Sequence, residues 1–262
     1  MYPRQACLGL ACLLLLFLST SLRAEPARHP LIAIIIDDLG YNLAAGQASL
    51  ALPGALTVSV LPDTPFARRL ADEAHARDKE VMLHLPMESD DDRRLGPDGL
   101  TLDMDETQMK RTVQKALADI PYVRGVNNHM GSLLTQHPGD MAWVMQVLQQ
   151  HGGLYFIDSR TTPRTVAEQV AAEHGLPHAA RNVFLDAKPG DPAYVAHQFD
   201  TLIQIARARG YAIAIGHPHP ATLMVLRERL RNLASDGVTL VHASQLIRAK
   251  QEARSWFASL SP

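Results

Sequence analysis

The sequence predicts an α/β protein whose parallel sheet rolls into a single barrel. Apolar, β-branched runs alternate with stretches of helical spacing from residue 31 onward, the pattern of repeated βαβ units. Roughly eight such units fit in about 230 residues, which suits a closed or nearly closed (β/α) barrel. Several helical stretches end at a glycine able to take a left-handed cap, namely Gly152, Gly175, Gly210 and Gly237. An open doubly wound sheet is the competing architecture. No Gly-x-Gly-x-x-Gly follows the first strand, which argues against a dinucleotide site.

Arg4, an apolar run from Leu8 to Leu18 and then Ser19-Thr-Ser-Leu-Arg-Ala24 have the form of a secretory signal peptide, cleaved before Glu25. Export to a bacterial periplasm follows, with no stable membrane span after cleavage. The apolar run is too short to cross a bilayer comfortably, and no later one reaches about 18 residues. Leu22, large for its place near the cut, keeps an uncleaved amino-terminal anchor as the alternative. Both cysteines, Cys7 and Cys12, lie in this segment, so the mature chain has no disulfide and relies on its core. Residues 25–30 read as a short linker, 31–250 as one barrel domain and 251–262 as a carboxy-terminal tail. With 25 basic and 27 acidic residues in 262 and no basic stripe, nucleic acid is not an expected partner.

The first strand, 31–36, is continuously apolar and reads as buried on both faces. It runs straight into Asp37, Asp38 and Gly40. Further strands are expected at 55–61, 80–85, 124–126, 154–157, 182–185, 211–215 and 238–241. Helices are expected at 64–77, 105–120, 140–151, 165–174, 192–209 and 221–234. The Asp-, Gly- and Pro-rich residues 88–102 form the longest irregular loop, placed to overhang a site after the third strand.

Polar groups recur just past the strands, at the face where such barrels put their chemistry. Asp37 and Asp38 follow the first strand, His84 and Glu88 the third, and Asn127, Asn128 and His129 the fourth. Asp158, Ser159 and Arg160 follow the fifth, Asp186 the sixth, His217 and His219 the seventh, and His242 the eighth. Two adjacent carboxylates at the end of an apolar strand are costly to bury. They could serve a structural cap and ion pair, or one could bind a metal while the other moves protons. Strand alternation predicts that Asp37 and Asp38 leave in opposite senses. Imidazole and carboxylate donors without thiolate suit a divalent metal, zinc above all. Asp38, His84 and His129 could form three ligands of an open tetrahedron, with water in the fourth position. His75, His137, His151, His174, His178 and His197 fall within or beside helices, as surface or capping groups.

Ile36-Asp-Asp-Leu-Gly40, His84-Leu-Pro-Met-Glu88, Gly125-Val-Asn-Asn-His-Met-Gly-Ser132, Phe156-Ile-Asp-Ser-Arg-Thr-Thr162 and Ile215-Gly-His-Pro-His219 together resemble the divergent polysaccharide deacetylases. These are the YibQ-like proteins, related to the NodB-type polysaccharide deacetylases. The resemblance spans essentially the whole mature chain. It implies an irregular (β/α) barrel of about seven strands, with Asp37 as general base, Asp38 as metal ligand, His84 as the first histidine ligand and His217 as general acid. The family's second histidine ligand is replaced here by Glu88, so either Glu88 or His129 completes the metal set. The family's Arg-x-Pro-Tyr motif has no counterpart; Asn127-Asn128-His129 stands in its place. Asn128, Asp158, Arg160 and His219 are expected to line the site. The activity implied is metal-dependent deacetylation of an envelope glycan or other N-acetylated carbohydrate. The alternatives are a periplasmic carbohydrate-binding or scaffolding protein without turnover, and metal-dependent hydrolysis of another bond. With Trp143 and Trp256 as the only tryptophans, no aromatic sugar platform is evident, and protein partners are not readable from the sequence.

Overall fold

The computed structural model describes residues 29–91, 94–96 and 98–260. The expected signal peptide and the linker as far as residue 28 lie outside them. The described strands are β1 (Leu31–Leu39), β2 (Thr57–Val60), β3 (Glu80–Met87), β4 (Val123–Met130), β5 (Tyr155–Asp158), β6 (His178–Ala180), β7 (Val183–Phe184), β8 (Tyr211–Gly216) and β9 (Thr239–Leu240). The helices are α1 (Leu43–Leu50), α2 (Ala67–His75), α3 (Glu106–Asp119), α4 (Pro138–His151), α5 (Ala167–Glu173), α6 (Pro192–Arg209), α7 (Pro220–Arg231) and α8 (Ala243–Leu260). All strand pairs are parallel, in the order β6-β5-β4-β3-β2-β1-β8-β7, and β9 adds to the start of β1. This sequential order is that of a rolled sheet, not of a doubly wound one.

The two edges of the sheet meet where the chain crosses between them. β6 pairs with β5 and β7 pairs with β8, and only Arg181 and Asn182 separate the two strands. Arg181 N donates to Asp158 O, and Asn182 exchanges hydrogen bonds with Ile213 through its backbone N and its Oδ1. One broken strand thus closes an irregular (β/α) barrel, as the sequence resemblance implies.

Strand alternation builds the interior. Along β1, Ile32, Ile34 and Ile36 face the helices, whereas Ala33 and Ile35 face inward with Met82, Tyr155, Ile157, Ala179, Ile213 and Ile215. Ala243, Leu246 and Ile247 of α8 join this inner cluster and plug the barrel's lower end. Beneath it the buried Glu80 accepts hydrogen bonds from Thr57 Oγ1, Tyr155 Oη and Ser244 N. The inward positions that follow the apolar layer upward are Asp37, Ser59, His84, Asn127, Ser159 and His217.

Several elements differ from expectation. α1 was not foreseen; Asn42 caps it by accepting from Ala45 N. β6 is only three residues long, and it places His178 on a strand, not beside a helix. α8 continues through residue 260 of the expected tail. β9 joins β1 at Leu31 and Ile32, so His242 sits at the lower end of the barrel, bonded through Nε2 to Asp78 O, and not at the mouth.

Gly125 faces the Tyr155 ring so closely that a Cβ would lie 2.3 Å from it. Gly139, in the first turn of α4, has nothing within 4 Å. In equilibrium denaturation, Gly125→Ala is therefore expected to destabilise by about 1–3 kcal/mol through overpacking. Gly139→Ala should leave stability unchanged or raise it by up to roughly 1 kcal/mol. Equal effects of the two substitutions would contradict this packing.

Candidate active site

Asp37 ends the inward face of β1 and is buried. Strand alternation would send Asp38 the other way, but the register against β2 slips between Ile36 and Leu39, and Asp38 takes a left-handed φ of 62°. A bulge of this kind re-aims a side chain. Both carboxylates consequently reach His84, whose Nε2 lies 3.6 Å from Asp37 Oδ2 and 3.1 Å from Asp38 Oδ1. The expectation that the pair diverges is corrected by this turn. Gly40 follows at φ 137°, where a Cβ would lie 2.1 Å from Thr64 Oγ1. Met130 at the end of β4 and Arg160 just past β5 also have positive φ, 54° and 50°. Three strand ends around one mouth thus hold conformations that cost a non-glycine residue free energy.

Asn127 is the hub of this layer. Its Nδ2 donates to both oxygens of Asp37, at 3.0 and 3.1 Å, and to Ser159 Oγ at 3.2 Å. Its Oδ1 accepts from Ser59 Oγ at 2.5 Å and lies 2.8 Å from His84 Nδ1. Because the amide nitrogen faces a carboxylate, the oxygen must face His84, so His84 Nδ1 carries the proton. Its Nε2 lone pair is left pointing into the mouth.

His129 Nδ1 lies 3.1 Å from His84 Nε2 and 2.9 Å from Asp38 Oδ1. Asp38 Oδ1 is buried, yet makes no hydrogen bond of acceptable geometry. Three lone-pair donors therefore form a triangle with edges near 3 Å. Ligand atoms on a tetrahedral zinc with bonds of about 2.0–2.1 Å are roughly 3.3 Å apart, so Asp38, His84 and His129 fit such an ion. Burial acts to raise the Asp38 pKa, but the His129 and His84 rings prevail and hold it far below the usual carboxylate range. Burial likewise opposes charging of His84, yet Asp37 and Asp38 raise its pKa.

Glu88, the other candidate ligand, is not brought to this cluster. Backbone bonds from Leu133 and Leu134 to Glu88 O turn the chain away, and Glu88 Oε2 accepts from Leu102 N at 2.7 Å. It secures the loop after β3.

His217 stands at the end of β8. Asp186 Oδ1 lies 3.0 Å from its Nδ1, and Asp186 Oδ2 accepts from His217 N and from Thr222 Oγ1. His217 Nε2 is 3.8 Å from Asp38 Oδ2. Burial disfavours the imidazolium, but the Asp186 hydrogen bond and the charges of Asp37, Asp38 and Asp186 push its pKa up to about 9. Asp186, His217 and His219 also offer ligand atoms within 4.8 Å of one another, but both Asp186 oxygens are already engaged.

These groups floor a cleft of about 770 Å³ whose rim includes Asn128, Ser132, Arg160, Arg164, Arg181 and Phe184. Asn128 donates to Met130 O and accepts from Ser159 N, holding two of the strand-end turns. Asp158 and His219, expected in the lining, stand behind it, His219 with its ring 5.7 Å from that of His217. Asp158 has the outward parity of β5 and binds Arg160 N and Thr165 Oγ1, while His219 is the N-cap of α7. Asn127 was read from sequence only as one of the polar groups past the fourth strand, and Ser59 and Arg181 were not singled out. Asn127 and Ser59 could have been found by extending the inward parity of β4 and β2 by one step.

Residues 34–247 match the family model described as divergent polysaccharide deacetylase. The chain is 40% identical over 252 residues to the uncharacterized protein YibQ of Escherichia coli (strain K12), covering 96% of this chain and 76% of that protein. It is 39% identical over 217 residues to an uncharacterized protein of Haemophilus influenzae, covering 83% and 76%. A crystal structure of an uncharacterized protein from Agrobacterium tumefaciens C58 shares the fold with a TM-score of 0.80 at 23% identity, covering 85% of this chain and 91% of that one. The chain belongs to the divergent polysaccharide deacetylase family.

Two predictions follow from the geometry. In zinc titrations, Asp38→Ala, His84→Ala and His129→Ala should each weaken binding severely. Asn127→Leu should weaken it by about 10–100-fold, as loss of an outer hydrogen bond does, and Glu88→Gln should leave it unchanged. Equal losses for Glu88→Gln and His129→Ala would contradict the triangle. In NMR titrations of the metal-free protein, Asp186→Asn should bring the His217 pKa from about 9 toward its ordinary value of 6.5. A raised folded-state pKa adds stability that is fully present below about 6.5 and lost as pH rises through about 9. An unchanged His217 titration in Asp186→Asn would contradict the pairing.

Proposed function

We propose that this member of the divergent polysaccharide deacetylase family is an exported, metal-dependent hydrolase that removes acetyl groups from N-acetylated sugars of the bacterial cell envelope. The amino-terminal segment supports export, and the family supports a glycan substrate. The observation that carries the reading is the triangle of Asp38, His84 and His129, flanked by Asp37 on one side and His217 on the other.

A divalent ion, zinc by the donor set, would polarise the acetyl carbonyl and acidify a water molecule when bound. Asp38, His84 and His129 would hold it. Asp37, oriented by two hydrogen bonds from Asn127, accepts the proton of the attacking water. His217, kept as imidazolium by Asp186, donates from Nε2 to the departing amine nitrogen. Water and amide become acetate and free amine. The acid and the base thus sit in different surroundings, one beside a neutral amide and one beside a carboxylate, as such a division of labour requires.

Acetate release from N-acetylglucosamine oligomers by the zinc-loaded protein tests this. Asp37→Asn should lower the rate by about 10²–10⁴-fold, the usual contribution of a general base, with metal content unchanged. A wild-type protein that binds zinc and these oligomers but frees no acetate from any envelope glycan would make it a carbohydrate-binding protein instead.

A further inference from the structure

The cleft is lined by two unlike sets of side chains: His84, His129 and the paired aspartates at its floor, and the cationic Arg160, Arg164 and Arg181. Arg181 is already committed: Nε donates to Ser159 O at 2.6 Å, Nη2 donates to Arg160 O at 2.8 Å, and the guanidinium lies 4.8 Å from the Phe184 ring centroid. It clamps the segment after β5. From the other side Thr161 Oγ1 bonds Met130 O, and Asp158 accepts from Arg160 N and Thr165 Oγ1. Arg160 is held in this rigid segment at φ 50°.

None of this restraint neutralises the two remaining cations. Asp158, the acidic residue nearest Arg160 in sequence, has one oxygen on Arg160 N and the other on Thr165, and Glu168, the nearest to Arg164, pairs with Lys250. Asp37 and Asp38 face Asn127 and the imidazoles. Among the described residues, no carboxylate forms an ion pair with Arg160 or Arg164; the pairs present lie elsewhere. Two exposed guanidiniums on a fixed segment beside a substrate-sized cleft are suited to a carboxylate or phosphate, either of which they can bind through paired charge-assisted hydrogen bonds. A neutral N-acetylated sugar offers hydroxyl and carbonyl acceptors but no charge to balance two guanidiniums.

We infer that Arg160 and Arg164 form an anion subsite at the rim of the cleft, which takes a carboxylate or phosphate carried by the glycan, so that the substrate is an acidic N-acetylated saccharide. The inference rests on the glycan reading of the site. Calorimetric binding in the Asp37→Asn background tests it without turnover. The three probes are neutral N-acetylglucosamine tetramer, a tetramer of equal length with carboxylate-bearing residues, and an N-acetylglucosamine oligomer carrying phosphate. One anionic probe should bind at least about tenfold more tightly than the neutral one, the gain expected of a charge-assisted contact, and should weaken as salt is added. Which anion binds better distinguishes carboxylate from phosphate. Arg160→Gln combined with Arg164→Gln should abolish the preference, lowering affinity for the anionic probe far more than for the neutral one, with zinc content unchanged. Equal affinity for all three probes, or a preference that survives the double substitution, overturns the subsite. An arginine-dependent preference in a protein that releases no acetate would retain the subsite and refute only the hydrolase.

Discussion

One buried amide holds the upper layer of this barrel together. Asn127 on β4 binds Asp37 from β1, Ser59 from β2, His84 from β3 and Ser159 just past β5. A buried amide without partners is costly, but one whose donors and acceptor are all engaged locks its neighbours in a single arrangement. That arrangement fixes the His84 tautomer and the direction of the Asp37 carboxylate together. Under the proposed function, metal affinity and base geometry would therefore be coupled through this one side chain, which bonds to His84 and to Asp37.

The same layer divides its charges by neighbour. Asp37 faces a neutral amide, Asp38 faces two imidazoles, and His217 is backed by Asp186. Asp37 and Asp38 share the end of β1 and His217 follows β8, while Asn127, His84 and His129 come from β4 and β3, so the electrostatics depend on the curl of the sheet that brings these strand ends together. Closure is completed by the short crossing at Arg181 and Asn182, and Arg181 in turn fixes the segment that carries Arg160. The seam of the fold and the rim of the cleft are one piece of chain.

Much of this was legible in the sequence because it follows from periodicity. The apolar run 31–36, the alternating helices and the polar residues past each strand led to a parallel barrel with its polar groups at one mouth. What escaped was set by tertiary contacts. The turn at Asp38 is a backbone conformation that overrides alternation, and no composition signal announces it. β6 is three residues of mixed polarity, and β9 is two, so neither has enough length for a period; His178 and His242 were misplaced as a result. α8 went unseen because its packing under the inner cluster gives it a role that a carboxy-terminal stretch of ordinary composition does not advertise. Glu88 and His129 could not be separated by spacing, since the choice depends on the loop bonds to Leu102, Leu133 and Leu134.

A crystal structure grown with zinc, with anomalous data collected at the zinc edge, addresses the central claim most directly. A single strong peak bonded to Asp38 Oδ1, His84 Nε2 and His129 Nδ1, with Glu88 still on Leu102 and Asn127 Oδ1 still on His84, is the result expected. A peak bonded to Glu88 in place of His129, or one on Asp186, His217 and His219 with the triangle vacant, would contradict it.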